Sequence, residues 1–184
     1  QKINPNISQI YFAKSDIYLK ISQLKNAKSA LEAGLKIDSD NYTAIFQLGN
    51  IFLMEKNYIE AIKFFEKSVK LKPNFWQAIN NQGLAYFETN NINLSIKLFE
   101  KAIAIEDNAE PLLGLASCLS SRDIKLALEL AKEALVKNPN YVDYDYRKEQ
   151  LWGEKLQTST EILLLNDQLK TDVILAKSKI NTSS

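Results

Sequence analysis

Residues 48–73, LGNIFLMEKNYIEAIKFFEKSVKLKP, contain the pattern that decides the fold, because their large and small residues recur 34 residues later in GLAYFETNNINLSIKLFEKA, residues 83–102. The matched pairs keep their large or small character, and they are Gly49 and Gly83, Phe52 and Tyr86, Ala61 and Ser95, Phe65 and Phe99, and Ser68 and Ala102. Thirty-four residues before the first member of each pair, a residue of the same large or small size occurs, at Ser15, Tyr18, Ala27, Leu31 and Gly34. A fixed period of this length indicates a repeat protein whose units bury their apolar faces only by stacking.

Within each period the apolar residues follow helical spacing in two segments that are separated by a short turn. The pattern predicts eight helices, at residues 8–22, 24–37, 42–56, 58–71, 76–89, 92–105, 108–120 and 123–137. Gly49 and Gly83 fall inside helices, where Gly costs about 1 kcal/mol relative to Ala. Their recurrence predicts that the backbones of helices A and B come too close there for a side chain. Asn57 and Asn91 are predicted to be turn residues that tolerate left-handed backbone geometry.

The composition supports an all-α protein and excludes several other classes. The chain has 184 residues, of which 46% are hydrophobic, with only five Gly and four Pro. The net charge of +1 gives no general attraction to nucleic acid or anionic lipid. No apolar stretch, such as residues 162–165, approaches the ~18 residues that a membrane-spanning helix needs. The single cysteine, Cys118, suits a reducing compartment, and we expect a soluble, cytoplasmic protein.

Both ends of the chain depart from the strict period. Two periods before Pro73 lies Pro5, so the first residues are expected to be the tail of an upstream repeat in a longer natural protein. After Pro139 the pattern is irregular, and the segment from Thr158 to Glu161 is predicted to begin a helix with a capping hydroxyl. The expected organisation is a repeat tail at 1–7, repeats at 8–41, 42–75 and 76–107, a divergent repeat at 108–140, and C-terminal capping helices at 141–184.

The run Leu48-Gly49-x-x-Phe52, continued by Ala61-x-x-x-Phe65 and ending at Pro73, closely resembles the tetratricopeptide repeat consensus. The resemblance covers roughly residues 8 to 139. It implies a right-handed superhelix, or solenoid, of helical hairpins in which the first helix of each hairpin, helix A, lines a concave groove that binds extended peptides or helices of other proteins. The stretch QLWGEKL at residues 150–156 is similar to extensions of small tetratricopeptide proteins of cyanobacteria and plastids, whose relatives assist photosystem assembly.

Helix phase predicts which residues line the groove, since side chains three or four positions apart share one helix face. The candidate groove residues are Phe12, Asp16, Leu19, Phe46, Gln47, Asn50, Leu53, Gln77, Asn80, Asn81, Leu84 and Phe87. Tetratricopeptide co-chaperones that bind acidic tails use Lys and Arg on their A helices, and this set contains neither. Amides can pair with a peptide backbone and aromatic rings can receive apolar side chains. The expected ligand is therefore an extended, mostly uncharged segment.

Packing is the alternative reading of several of these residues. Phe46 and Phe87 are also compatible with packing against a neighbouring repeat, and Asn80 and Asn81 with ordinary solvated amides. Trp152, like the other tryptophan at residue 76, is favoured as a packing residue over a binding hot spot.

The sequence contains little that could support catalysis. It has no histidine, which excludes histidine general-base catalysis and histidine metal ligation. Cys118 lies in an apolar helical context and is favoured as a buried structural thiol over a nucleophile. No phosphate-binding loop is present, and neither a cofactor nor a metal site is predicted. We therefore expect a protein without enzymatic activity.

Three functional classes remain open. The leading one is a scaffold or chaperone-like assembly factor that holds another protein in its groove. The second is an interaction module of a larger regulatory protein or enzyme whose upstream part is missing. RNA binding is third and disfavoured, because the candidate face contains Asp16 and lacks the basic residues that phosphate contacts require.

Overall fold

The fold is described by a computed structural model, which covers residues 5–182 of the backbone and residues 7–182 of the side chains. Over this range the chain is helical and contains no strand, which confirms the predicted all-α class. The α-helices are α1 (Pro5–Lys20), α2 (Leu24–Leu35), α3 (Tyr42–Met54), α4 (Tyr58–Leu71), α5 (Trp76–Glu88), α6 (Ile92–Ile105), α7 (Ala109–Leu119), α8 (Ile124–Lys137), α9 (Tyr144–Glu149), α10 (Glu154–Leu164) and α11 (Lys170–Asn181). Short 3-10 helices occupy Pro139–Val142 and Asp167–Leu169.

Backbone contacts divide the chain into two compact units, Gln1–Ala78 and Ile79–Ser184. The first unit contains the hairpins α1–α2 and α3–α4 and the first turn of α5. Its core is a cluster of buried apolar side chains contributed by α1, α2 and α3, namely Phe12, Ala27, Leu31, Ala44, Leu48 and Ile51. Two of the positions that define the 34-residue period, Ala27 and Leu31, thus lie in this core.

The repeated glycines make room for aromatic rings of the paired helix. A Cβ atom added to Gly49 would lie 2.5 Å from Cε1 of Phe65, and one added to Gly83 would lie 3.0 Å from Cε1 of Phe99. The predicted close approach of two backbones is wrong, because a phenylalanine ring fills the space beside each glycine. Gly34 on α2 receives the ring from α1 in the same way.

The turn inside each hairpin uses a different residue from the one predicted. Ser22, Lys56 and Asn90 have φ angles of 57°, 58° and 63° and are themselves spaced by 34 residues. Asn57 and Asn91 come one residue later, with φ of −87° and −89°, as N-caps of the second helices. The left-handed residue therefore closes the first helix, and the asparagine begins the next one.

The beginning of α1 also differs from the prediction. The helix starts at Pro5, three residues before the predicted start. Proline suits a first helical position because its φ is already helical and its missing N–H has no partner to lose. The predicted repeat tail at 1–7 overlaps this helix, and its first four residues lie outside the described residues.

The second unit contains two further hairpins and the C-terminal helices. In the α5–α6 hairpin, Ser95 Oγ donates to the carbonyl of Gly83 at 2.8 Å. In the α7–α8 hairpin, α8 presents three fully buried alanines, Ala127, Ala131 and Ala134. Helix α10 packs against α7, and α11 packs against α8 and Pro139–Val142. The C-terminal region thus covers both helices of the last hairpin.

The predicted helix start between Thr158 and Glu161 is wrong. Helix α10 begins at Glu154 and has Gly153 as its N-cap, so the predicted capping residues lie inside the helix. The hydroxyl of Thr158 instead donates to the carbonyl of Glu154 at 2.8 Å. The cap comes from another helix, as described below.

Candidate functional site

In the first unit, a polar contact links the two A helices, α1 and α3. Gln47 Nε2 donates to Asp16 Oδ1 at 2.7 Å, and Asp16 is exposed while Gln47 is half-buried. Asn50, one turn further along α3, is also half-buried. The structure thus brings Asp16 and Gln47 into direct contact on a solvent-accessible face, which we call the α1–α3 face, defined by Asp16, Leu19, Phe46, Gln47 and Asn50.

The apolar candidates of this unit divide into packing and partly exposed residues. Phe12 is buried, because its ring fills the space beside Gly34, and Leu53 is buried as well. Leu19 is half-buried at the edge of the core cluster. Phe46 is half-buried, and its ring centroid lies 5.8 Å from that of Phe65. Phe12 and Leu53 were expected on an open surface, and in the structure they serve the core.

Phe46 also has a second aromatic neighbour in the same unit. Its ring lies 4.9 Å from that of Phe75 in an edge-on arrangement, and Phe75 makes a similar contact of 5.1 Å with Tyr42. Aromatic pairs in this geometry add stability beyond the area they bury. Phe46 therefore has a packing role and leaves only part of its ring accessible. Gln77, in the first turn of α5, is half-buried.

The four candidates in the second unit are not accessible. Asn80, Asn81, Leu84 and Phe87 are all buried, and Asn80 Nδ2 donates to Asn81 Oδ1 at 3.1 Å. The prediction placed these side chains on an open groove, and the structure corrects it. In the same unit, the C-terminal segment of the chain contacts Glu88 on α5 and Glu110 on α7.

Glu88 at the end of α5 is the first of these contacts. Its Oε1 accepts from the amide of Leu156 at 3.0 Å, and its Oε2 accepts from the amide of Lys155 at 3.3 Å. A carboxylate beside free amides at a helix N-terminus is favourable because it satisfies donors that have no intrahelical partner. A Cβ on Gly153 would lie 2.3 Å from Cδ of Glu88, so the glycine permits this approach.

Glu110 on α7 forms the second contact, in a buried polar cluster. Trp152 Nε1 donates to Glu110 Oε1 at 3.2 Å, and Asn80 and Tyr141 also interact with this carboxyl group. Burial raises the pKa of Glu110 from 4.5 to about 7, and hydrogen bonds from these three side chains lower it only in part. Burial and the neighbouring Glu110 carboxylate also raise the pKa of Tyr141, which keeps its hydroxyl protonated.

Arg147 on α9 holds the C-terminal segment together from inside. It is fully buried, with Nε donating to Gln157 Oε1 at 2.7 Å and Nη1 donating to the carbonyl of Tyr141 at 2.7 Å. Nη2 pairs with Glu161. Burial lowers the pKa of Arg147, while Glu161 and the nearby Asp143 oppose that shift. Sequence reasoning missed Glu88, Glu110 and Arg147, because each looks like a surface charge in a helical pattern.

No catalytic arrangement is found in the described part of the chain. Cys118 is buried, and burial raises the pKa of its thiol to about 12, which keeps it protonated. Its Sγ lies 3.5 Å from Ser95 Oγ. Between residues 7 and 182, no three His, Cys, Asp or Glu side chains come together as a metal site. Over the same residues, every helix is too short or too polar to cross a membrane.

Comparison with known families identifies three segments. Residues 8–41, 42–75 and 77–108 each match a family model described as tetratricopeptide repeat, and together they make up more than half of the chain. No curated protein sequence matches the chain.

Solved structures share the fold at low sequence identity. MamA from Desulfovibrio magneticus RS-1 is 16% identical, with a TM-score of 0.68 over 95% of this chain and 92% of that one. YrrB, described as a TPR protein with an unusual peptide-binding site, is 18% identical, with a TM-score of 0.63 over 93% of this chain and 90% of that one. The first TPR of Spaghetti (RPAP3), bound to the HSP90 peptide SRMEEVD, is 18% identical, with a TM-score of 0.62 over 65% of this chain and 95% of that one.

Proposed function

Since the chain belongs to the tetratricopeptide repeat family, we propose that it is a non-enzymatic protein-interaction scaffold whose α1–α3 face binds an extended, mostly uncharged peptide segment. The contact between Gln47 and Asp16 carries this proposal, because it places an amide and its acceptor side by side on neighbouring A helices. Both side chains can exchange their mutual hydrogen bond for bonds to a peptide backbone. Two structural neighbours, YrrB and RPAP3, are themselves described with peptide sites.

The chemistry of the face favours a neutral ligand over an acidic one. Asp16 is the single charged side chain of the α1–α3 face, and no Lys or Arg belongs to that set. An acidic peptide would meet a like charge there without a basic partner, which disfavours binding. Leu19 and the accessible part of Phe46 supply apolar surface for uncharged side chains of the ligand. Asn80, Asn81, Leu84 and Phe87 on α5 do not contribute, since they are buried.

A peptide-binding experiment tests the proposal. An array of uncharged, end-blocked decapeptides is screened, and the best binder is titrated calorimetrically against the wild type and against Gln47→Ala combined with Asn50→Ala. We expect the double variant to lose about tenfold in affinity, or about 1.4 kcal/mol. Gln168→Ala is the matched control, because Gln168 is an exposed amide in the second unit and should leave the affinity unchanged.

Two results would contradict the proposal. An unchanged affinity in the double variant, with wild-type circular dichroism, would show that the α1–α3 face does not bind the peptide. Equal or tighter binding of the acidic peptide SRMEEVD would show that the ligand is not uncharged. Phe46 is left intact in this design, because its ring packs against Phe65 and Phe75 and its removal would also alter the core.

A further inference from the structure

Residues 152–160, which we call the covering segment, contact both A helices of the second unit. Near its start, the first amides of α10 donate to Glu88 on α5, and Trp152 donates to Glu110 on α7. Towards its end, hydroxyl groups of α10 contact Ser117 on α7. Glu88, Glu110 and Ser117 are all buried, and they define what we call the α5–α7 face.

The hydrogen bonds between the covering segment and the α5–α7 face use groups that water can also satisfy. Lys155 Nζ donates to the carbonyl of Glu88 at 2.7 Å and to Asn90 Oδ1 at 3.0 Å. Thr160 Oγ1 lies 2.6 Å from Ser117 Oγ. If the segment leaves, these groups exchange their partners for water and are not left unpaired. The contact is therefore one that can open.

The first unit leaves the matching position of its own A helix accessible. The residue 34 positions before Glu88 is Met54 on α3, which is 43% exposed, whereas Glu88 is 6% exposed. At Glu88 the covering segment thus occupies a place that is open to solvent in the preceding repeat.

The C-terminal region has bonds of its own that do not depend on α5. Arg147 on α9 joins the carbonyl of Tyr141 to the side chains of Gln157 and Glu161, and all of these residues belong to the C-terminal region. These bonds can therefore persist when the covering segment separates from the α5–α7 face.

Leu151, the residue immediately before the covering segment, has a strained backbone. Its φ angle is 67°, in the left-handed region that is unfavourable for a leucine. Strain of this kind persists only where surrounding contacts hold it. Release of Trp152 from Glu110 would let Leu151 relax, which favours opening at this point.

We propose that the covering segment is a displaceable internal ligand of the α5–α7 face, and that this face binds a segment of another protein in which a Trp-Gly pair precedes a helix. The contacts of the covering segment define that ligand. Its indole N–H meets Glu110, its glycine leaves room for the Glu88 carboxylate, and the first amides of its helix donate to Glu88.

The partner and the covering segment exclude each other, because they use the same acceptors. A face that is open for only a fraction of the time binds its partner more weakly by that fraction. The covering segment therefore lowers the apparent affinity of the partner. This mechanism is independent of the α1–α3 face, since every residue of the α5–α7 face belongs to the second unit.

Peptide binding to the full chain tests the proposal. The probe is a fluorescein-labelled peptide with the sequence of residues 150–164, titrated by fluorescence anisotropy. Trp152→Ala in the full chain should raise its affinity at least about tenfold over the wild type, because the internal ligand has lost its indole and competes less. Tyr144→Ala is the matched control, since Tyr144 is an exposed aromatic residue of α9 outside the covering segment, and it should keep the wild-type affinity.

A second substitution tests the acceptor on α5. Glu88→Ala, added to the Trp152→Ala chain, should abolish the gain in affinity, because the first amides of the peptide helix lose their acceptor. Glu129→Ala, at an exposed position on α8, is its matched control and should retain the gain. A probe peptide that itself carries Trp152→Ala should bind neither chain.

Several outcomes would overturn the proposal. They are equal affinities of the wild type and the Trp152→Ala chain, equal binding of the probe peptide without its tryptophan, and a gain that survives Glu88→Ala. Gly153→Ala is a second way to open the contact, because its Cβ would displace the Glu88 carboxylate while both anchoring side chains remain. Loss of the native circular dichroism spectrum in both the Trp152→Ala and the Gly153→Ala chains would also overturn the proposal, since the segment would then be an inseparable part of the core.

Discussion

Replacing Glu110 with glutamine should remove most of the pH dependence of stability of the second unit near neutrality. Burial raises the pKa of folded Glu110 to about 7, above the value of 4.5 expected for the unfolded chain. The folded state therefore binds this proton more tightly than the unfolded state does. The resulting stabilisation is fully present below pH 4.5 and is lost as the pH rises through about 7.

The size of the effect follows from the difference between these two pKa values. At 1.36 kcal/mol per unit, a rise from 4.5 to about 7 corresponds to about 3 kcal/mol of unfolding free energy. Glutamine has the shape of the protonated carboxyl group and retains an oxygen that can accept from Trp152 Nε1. The chain has no histidine, so the usual source of titration in this range is missing. The terminal amine also titrates near neutral pH, but the wild type and Glu110→Gln share it, so its contribution cancels when their unfolding free energies are compared.

Urea unfolding at several pH values between about 5 and 8 provides the assay. Fluorescence of Trp152 in a Trp76→Phe background reports on the second unit. As the pH rises over this range, the free energy of unfolding of the wild type should fall by about 3 kcal/mol relative to that of Glu110→Gln. Glu129→Gln, at an exposed position on α8, is the matched control and should keep the wild-type pH dependence. Parallel pH profiles of the wild type and Glu110→Gln would refute the reasoning.

Four further substitutions test the packing. Gly49→Ala should lower the free energy of unfolding by about 1–3 kcal/mol, because its Cβ would lie 2.5 Å from the ring of Phe65. Gly83→Ala should lower it by less, because its Cβ would lie 3.0 Å from the nearest carbon of the Phe99 ring. Equal losses for the two variants in urea unfolding would contradict this geometry. Arg147→Ala should destabilise the second unit by about 3–5 kcal/mol in the same assay, since it leaves buried acceptors unpaired; a loss below about 1 kcal/mol would contradict this. Gly153→Ala should speed hydrogen exchange of the first amides of α10, because its Cβ would displace the capping carboxylate; unchanged exchange would count against that cap.

The repeated part of the fold could be predicted because its signal is periodic. Glycine and aromatic residues recur every 34 positions, and the helix ends inferred from them lie within three residues of those observed. The local turn chemistry was less predictable. Lys56 adopts the left-handed conformation where Asn57 was expected to do so, since the position in the turn, and not the residue's intrinsic preference, decides the backbone geometry.

The candidate site could be predicted only in part, because helix phase identifies a face but not what covers it. Asp16 and Gln47 contact each other, and Asp16 is exposed. Asn80 and Leu84 have the same phase, yet they are buried in the unit that contains the C-terminal segment. That segment has no repeat period, so neither its path nor the cap that Glu88 provides could be read from spacing.

The cap that Glu88 provides to α10 also bears on how the chain folds during synthesis. The carboxylate and the Leu156 amide that it accepts from are 68 residues apart in sequence. While the ribosome translates that interval, α5 has been synthesised, but the amides that will later bind its last residue have not. Contacts between distant residues form late, because a long loop must close first. We therefore expect chains truncated before residue 153 to be bound by chaperones more strongly than the 184-residue chain.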